Sequence, residues 1–204
     1  MRKVAIRTYE PKSSLVFLKT KEAYGGLSNM AGGFPIEVND IVFLTSEALY
    51  QSCRFPHHPD LQKMIVSQTS PMTAKMKVKP VLDCSREDWL KVRVRIMRWC
   101  ITCKLVQNWT KFSDLLLSTG DLPIVEQSRK DRFWGATPMD GKLVGANVLG
   151  RLLMELREGI RSGSKLVEVH PPLPEIENFL LFGENIGCVS FRDNIEPYQF
   201  DSLI

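Results

Sequence analysis

The chain has 204 residues, 44% of them hydrophobic and 25% charged, proportions that let a globular domain offset its ordering entropy by apolar burial and exclude wholesale disorder. At this length one sizeable domain, or one with an appendage, is expected, and a full two-domain enzyme is not. Lys and Arg number 27 against 23 Asp and Glu, a net charge of +4, which permits a polyanionic partner without requiring one.

The opening Met1-Arg2-Lys3-Val4-Ala5-Ile6-Arg7 lacks the apolar run of a signal peptide, and no later stretch approaches bilayer-spanning length. A cytoplasmic protein with no membrane partner is expected. Residues 1–13 are polar and read as an arm or an edge strand before the first buried strand, at 15–18. A glycine-rich loop follows, Tyr24-Gly25-Gly26-Leu27-Ser28-Asn29-Met30-Ala31-Gly32-Gly33, where the chain can turn sharply or approach a ligand. Alternating runs at 36–38 and 41–43 flank Asn39-Asp40 and predict a hairpin.

From Thr45 the period becomes helical. Thr45 or Ser46 caps, Glu47 suits the positive end, and Pro56 stops the helix after Phe55. A short helix is predicted over 60–68, and a third after Ser70-Pro71 through Met72, Met76 and Val78. The longest spans 86–107, with Trp89, Val92, Ile96, Cys100 and Cys103 on a core face and Lys91, Arg93, Arg95 and Arg98 on other, basic faces. Further on, 112–117 is helical and closed by Gly120, 123–126 is a short strand entering a loop, and 141–147 leads straight into a last helix over 147–161. After Gly163 come the rigid Pro171-Pro172-Leu173-Pro174 and the apolar stretches 178–183 and 189–191, expected to pack back on the body.

Five cysteines, Cys53, Cys84, Cys100, Cys103 and Cys188, are an odd number at irregular spacings, as for reduced thiols. Cys100-Ile-Thr-Cys103 has the form of half a zinc site but lacks a partner pair, and core packing is the simpler reading. No metal and no cofactor are expected.

Three segments carry groups suited to chemistry. Glu47, Gln51 and Arg54 share one helix face with Tyr50 beside them, so Glu47 reads either as an acid–base or electrostatic group of a sugar site or as a solvated capping glutamate. Arg129-Lys130-Asp131-Arg132-Phe133-Trp134-Gly135 offers a second carboxylate, a flat ring for a base or sugar, and room for close approach; the alternative is a loop whose Trp plugs the core. Gly145-Ala146-Asn147 opens the last helix, where free N–H groups receive a phosphate or Asn147 simply caps. Lys75, Lys77 and Lys79 read as a solvated or phosphate-positioning patch, unless one is desolvated and forms a Schiff base with an opened sugar.

Taken in order, Tyr24-Gly25-x-x-Ser28-Asn29, Thr45-Ser46-Glu47-x-x-Tyr50-Gln51 with Arg54-Phe55, Ser70-Pro71-Met72-x-Ala74-Lys75-Met76, Asp131-x-x-Trp134-Gly135 and Gly145-x-Asn147-x-Leu149-Gly150 resemble the NADAR family, also called YbiA-like. The resemblance covers residues 17–160. It implies an α+β fold, a compact, mainly helical single domain with a small β-sheet, here at 14–163 between an arm at 1–13 and a C-terminal extension at 164–204. It also implies hydrolysis of N-glycosidic bonds, either of phosphorylated ribosylamino-pyrimidine intermediates of riboflavin synthesis or of ADP-ribose on guanine in DNA.

Carried over residue by residue, the resemblance implies catalytic roles for Glu47 and Asp131, with Trp134 as the aromatic partner, and places Ser28, Asn29, Gln51 and Asn147 at family pocket positions. Tyr50, Arg54 and Gly135 join the substrate-binding set, and Lys75 is the catalytic residue of a Schiff-base variant, with Lys142 as its alternate. Ser-Glu-Ala-Leu-Tyr, Arg54, Ala146 and the extension resemble the longer members linked to DNA ADP-ribosylation. The expected substrate is therefore ADP-ribosylated, single-stranded DNA, with a DarT-like toxin as functional partner. The alternatives are the riboflavin-type nucleotide and a non-catalytic ADP-ribose-binding module.

Overall fold

The computed structural model describes residues 4–163 and 166–192. The first three residues of the expected arm, and residues 164, 165 and 193–204 of the expected extension, lie outside the described residues. In chain order the elements are β1 (Arg7–Tyr9), β2 (Leu15–Phe17), β3 (Ile36–Val38), β4 (Ile41–Phe43), α1 (Ser46–Ser52), α2 (Pro59–Val66), α3 (Pro71–Val78), α4 (Trp89–Gln107) and α5 (Trp109–Leu117). They continue as β5 (Ile124–Glu126), β6 (Thr137–Met139), β7 (Lys142–Gly145), α6 (Val148–Arg161), β8 (Glu168–Val169), β9 (Leu180–Leu181), β10 (Glu184–Asn185) and β11 (Val189–Ser190). This is an α+β fold with short strands, and it separates into two compact units.

The first unit takes the described residues up to Ala31 and those from Thr110 to Gly163. β1 pairs antiparallel with β7, which pairs antiparallel with β6, so β1 is an edge strand of a three-stranded sheet. Tyr9 at its end is buried with Val125, Ala136 and Leu143. β2 runs parallel to β5, Leu15 opposite Ile124. The segment from Gly141 that leads into the last helix forms the second strand of a hairpin, because Asp140 and Gly141 both adopt positive φ (50° and 75°) and turn β6 directly into β7.

Along α6, Leu149, Leu152 and Leu153 are buried as the periodicity requires. Gly150 lets this helix lie against β5, since a Cβ there would stand 2.2 Å from the Ile124 carbonyl oxygen. At the other end, the buried Arg157 donates to Thr119 Oγ1 and to the Leu122 carbonyl, each at 2.9 Å.

The second unit runs from Gly32 to Trp109 and resumes at Leu166. The β3–β4 hairpin turns through Asn39 and Asp40, both at positive φ, in the register that the alternation predicts. Thr45 Oγ1 caps α1 by accepting from Ala48 N, and Ser70 Oγ caps α3 by accepting from Thr73 N. α4 starts at Trp89, three residues later than expected at Arg86, because the Arg86 side chain folds onto Asp88 and donates to the Glu177 carbonyl at 2.7 Å.

The expected single core face of α4 holds only for its first half. Lys91, Arg95 and Arg98 are exposed there, but every residue from Cys103 to Gln107 is buried, because β3, β8 and β11 all pack on this helix. Lys104 is accommodated by setting its ammonium 4.4 Å from the centre of the Phe34 ring.

Side-chain amides fasten the C-terminal segment to this unit. Gln62 Nε2 donates to the Leu180 carbonyl at 3.0 Å and its Oε1 accepts from Phe182 N at 2.7 Å. Asn39 makes the same two-sided contact with Asn185 O and Gly187 N. Ile176, Phe179, Leu181, Ile186 and Val189 are buried, with Phe179 edge-on to Trp99 at 5.1 Å.

Candidate active site

In the second unit, α1 has no solvated face. All seven of its residues are buried, and Glu47 is only 2% exposed, which overturns the reading of Glu47 as a capping glutamate in water. One turn on, Gln51 Nε2 donates to Glu47 Oε1 at 2.8 Å and fixes the carboxylate. The other end of that amide, Gln51 Oε1, is buried and accepts no hydrogen bond among the described residues. An acceptor left so costs about 1–3 kcal/mol unless something brings it a donor.

Tyr50 lies beside them, its ring 4.9 Å from that of Trp89. Burial, reinforced by the Glu47 charge, pushes its phenol well above the ordinary tyrosine range, so the hydroxyl remains a proton donor. Arg54 stacks its guanidinium 4.9 Å from the Trp89 ring centre and donates from Nε to Ser85 Oγ at 2.7 Å. Burial lowers the Arg54 pKa, and the neighbouring charge of Arg93 acts in the same direction.

Glu47, Tyr50, Gln51 and Arg54 therefore stand together as their spacing predicts, joined by two residues that the sequence reading left out of the site. The sequence pattern places Trp89 on a core face and Arg93 among several basic residues on other faces. Their spacing of one helical turn on α4 was the available signal, obscured by the flanking basic residues.

In the first unit, Asp131, Trp134, Gly135 and Asn147 are brought together by backbone bonds. Asp131 Oδ1 accepts from Phe133 N and Trp134 N, both at 2.8 Å, so this carboxylate shapes the loop that presents the tryptophan. Trp134 is half-buried and edge-on to Phe133 at 5.0 Å, so it neither plugs the core nor stands free. A Cβ on Gly135 would come within 2.5 Å of the Glu126 carbonyl oxygen, which gives this glycine a packing reason.

At the start of α6 the N–H groups that a phosphate would need are already bonded within the protein. Asn147 N donates to Gly135 O, Val148 N to Phe133 O and Leu149 N to Trp134 O, at 3.0–3.1 Å. Asn147 holds the N-cap position in a left-handed conformation, but its side chain does not cap. Instead Nδ2 donates to Ile124 O at 2.9 Å and Oδ1 accepts from Glu126 N at 3.1 Å, clamping β5. Ser28 and Asn29 are buried at the end of the glycine-rich turn, where Ser28 Oγ accepts from Met30 N.

The lysines of the Schiff-base variant lie at the surface. Lys75, Lys77 and Lys79 are all exposed, so none has the burial that would activate an amine. Lys142 is exposed and its ammonium is 2.8 Å from Glu10, whose hydrogen bond and charge raise its pKa and disfavour the nucleophilic form. Cys100 and Cys103 are fully buried, and burial pushes both thiols well above their usual range, as core cysteines rather than ligands. Among the described residues, no helix is long and apolar enough to cross a membrane.

The model of the NADAR domain matches residues 16–161 of this chain. The N-glycosidase YbiA of Escherichia coli (strain K12) is 34% identical over 142 residues, an alignment covering 70% of this chain and 85% of the relative. A riboflavin biosynthesis protein of Vibrio vulnificus is 30% identical over 158 residues, 76% of this chain, and the chain spans only 41% of that relative's length. The NMR structure of the E. coli protein YbiA is similar with a TM-score of 0.63 and 29% identity, over 76% of this chain and 92% of that one.

Proposed function

The chain belongs to the NADAR family, and on that premise we propose that it is an N-glycosidase whose reaction depends on the buried Glu47. The observation that carries this reading is the Glu47–Gln51 pair: a sequestered carboxylate oriented by an amide whose own oxygen still awaits a donor. A ribose hydroxyl supplies such a donor.

In N-glycosidic hydrolysis the bond from C1′ to the base nitrogen breaks with its electron pair going to the nitrogen. Water adds its oxygen to C1′, and a proton reaches the leaving base. Positive charge builds on the ribose between these events, and a carboxylate in a dry site stabilises it far better than one in water. Glu47 takes that role and directs the water. Tyr50, kept protonated, is a donor within the same cluster, and Arg54 and Arg93 supply positive charge suited to substrate phosphates. Asp131 acts as a positioning residue for Trp134.

The substrate we assign is ADP-ribosyl-guanine in single-stranded DNA, which makes the protein the functional opponent of a DarT-like toxin. Its support is the exposed row Lys91, Arg95 and Arg98 on α4, suited to a phosphate backbone. A second reading, hydrolysis of a phosphorylated ribosylamino-pyrimidine, is favoured by the name of the Vibrio relative. Incubating the protein with an ADP-ribosyl-guanine oligonucleotide and, separately, with the small nucleotide, each followed by mass, tests both. Release of ADP-ribose from DNA is expected. Cleavage of the small nucleotide alone transfers the assignment to the second reading, and tight ADP-ribose binding with no cleavage of either makes the protein a binding module.

A further inference from the structure

Outside this site, one cluster combines three kinds of metal-ligating atom. Glu168, His170 and Cys188 are all exposed, and one carboxylate oxygen, one imidazole nitrogen and the thiol sulfur lie within 4.8 Å of one another. His170 Nε2 is 3.0 Å from Glu168 Oε1, and Cys188 Sγ is 3.6 Å from Glu168 Oε2.

The pairing of β8 with β11 explains why these residues meet. The register sets Val189 opposite Val169 and Ser190 opposite Glu168, so one step further Cys188 falls opposite His170. Residues directly opposite on an antiparallel pair project to the same face, and residues two apart on one strand share it. Glu168, His170 and Cys188 thus occupy one face, while the alternate positions Val169 and Val189 are buried on the other. The alternation that anchors the segment through its valines also gathers the three donors outside.

We infer that Glu168, His170 and Cys188 form a surface site for a borderline divalent transition metal of the zinc class, which clips β8 to β11. The donor set selects the ion: a thiolate with an imidazole suits Zn²⁺ and Co²⁺, whereas Mg²⁺ and Ca²⁺ require oxygen ligands. Three protein ligands leave one tetrahedral position to water. On binding, the thiol gives its proton to solvent and its sulfur bonds the metal. The imidazole carries its proton on Nδ1 and bonds through Nε2, and the carboxylate offers one oxygen. Its effect is to hold the C-terminal strand pair closed.

Co²⁺ titrated into the metal-free full-length protein tests this directly, because a thiolate bound to cobalt gives a near-ultraviolet charge-transfer band. The expected result is saturation of that band at about one equivalent and a higher thermal midpoint with Zn²⁺. Cys188→Ser removes the band, and His170→Ala weakens Zn²⁺ binding by more than about tenfold. Cys84→Ser, which removes the other exposed thiol, leaves the band unchanged. Far-ultraviolet circular dichroism of each variant, matching the parent, separates loss of the site from loss of the fold. No thiolate band in the parent, or a band that survives in Cys188→Ser, overturns the proposal.

Discussion

Glu47 stands in the first turn of α1, where a carboxylate ordinarily complements the helix dipole from water; here it is 2% exposed and held by Gln51. The helical spacing of Glu47, Tyr50, Gln51 and Arg54 was legible in the sequence, but their burial was not, since it depends on α2, α3 and α4 packing around so short a helix. Asp131 shows the converse. Its sequence context offers a second catalytic carboxylate, and in the structure its Oδ1 accepts from two backbone donors. Asparagine retains that acceptor and loses only the charge. Asp131→Asn is therefore expected to keep kcat/KM within about threefold, while Asp131→Ala, which frees the loop, loses more than about tenfold. A collapse in Asp131→Asn with an intact fold assigns the charge itself to the chemistry.

At the scale of elements, the caps and turns were the most readable features. Thr45, Ser70-Pro71 and the Asn39-Asp40 hairpin sit where their local chemistry places them, because each needs only neighbours in the chain. The parallel pairing of β2 with β5 joins residues over a hundred positions apart, and no local pattern announces it. Asn147 belongs with that pairing rather than with a helix cap. Removing its two bonds to β5 through Asn147→Ala should cost about 2 kcal/mol or more, read as a lower urea midpoint with an unchanged m-value. The basic face of α4 makes a different prediction. Reversing Lys91, Arg95 and Arg98 to Glu should lower cleavage of the DNA substrate by at least about tenfold and flatten its salt dependence, leaving small-nucleotide hydrolysis unaffected. Equal losses on both substrates place that face outside DNA binding.

For the whole molecule, the family match ends at residue 161, yet the described residues from Leu166 are built into the second unit through Gln62, Asn39 and the buried Phe179. The apolar stretches at 178–183 and 189–191 made that packing legible; the amide clamps were not, because they require residues distant in the chain to be known as neighbours. The buried Tyr50 also couples stability to pH. Its phenol holds its proton in the folded state beyond the pH at which an unfolded tyrosine, near 10, releases it. This contribution is fully present below about pH 10 and is lost as the pH rises further through the folded-state value. Above pH 10 the parent should lose stability more steeply than Tyr50→Phe, measured by denaturant unfolding across that range.

The catalytic expectations depend on Glu47 performing chemistry, and one comparison tests that most directly. Glu47→Gln, confirmed as folded by its thermal midpoint and circular dichroism, is assayed beside the parent for base release from the substrate that the parent cleaves. The expected result is a fall in kcat of at least about 100-fold, with substrate binding retained. Release at the parental rate from a folded Glu47→Gln contradicts it.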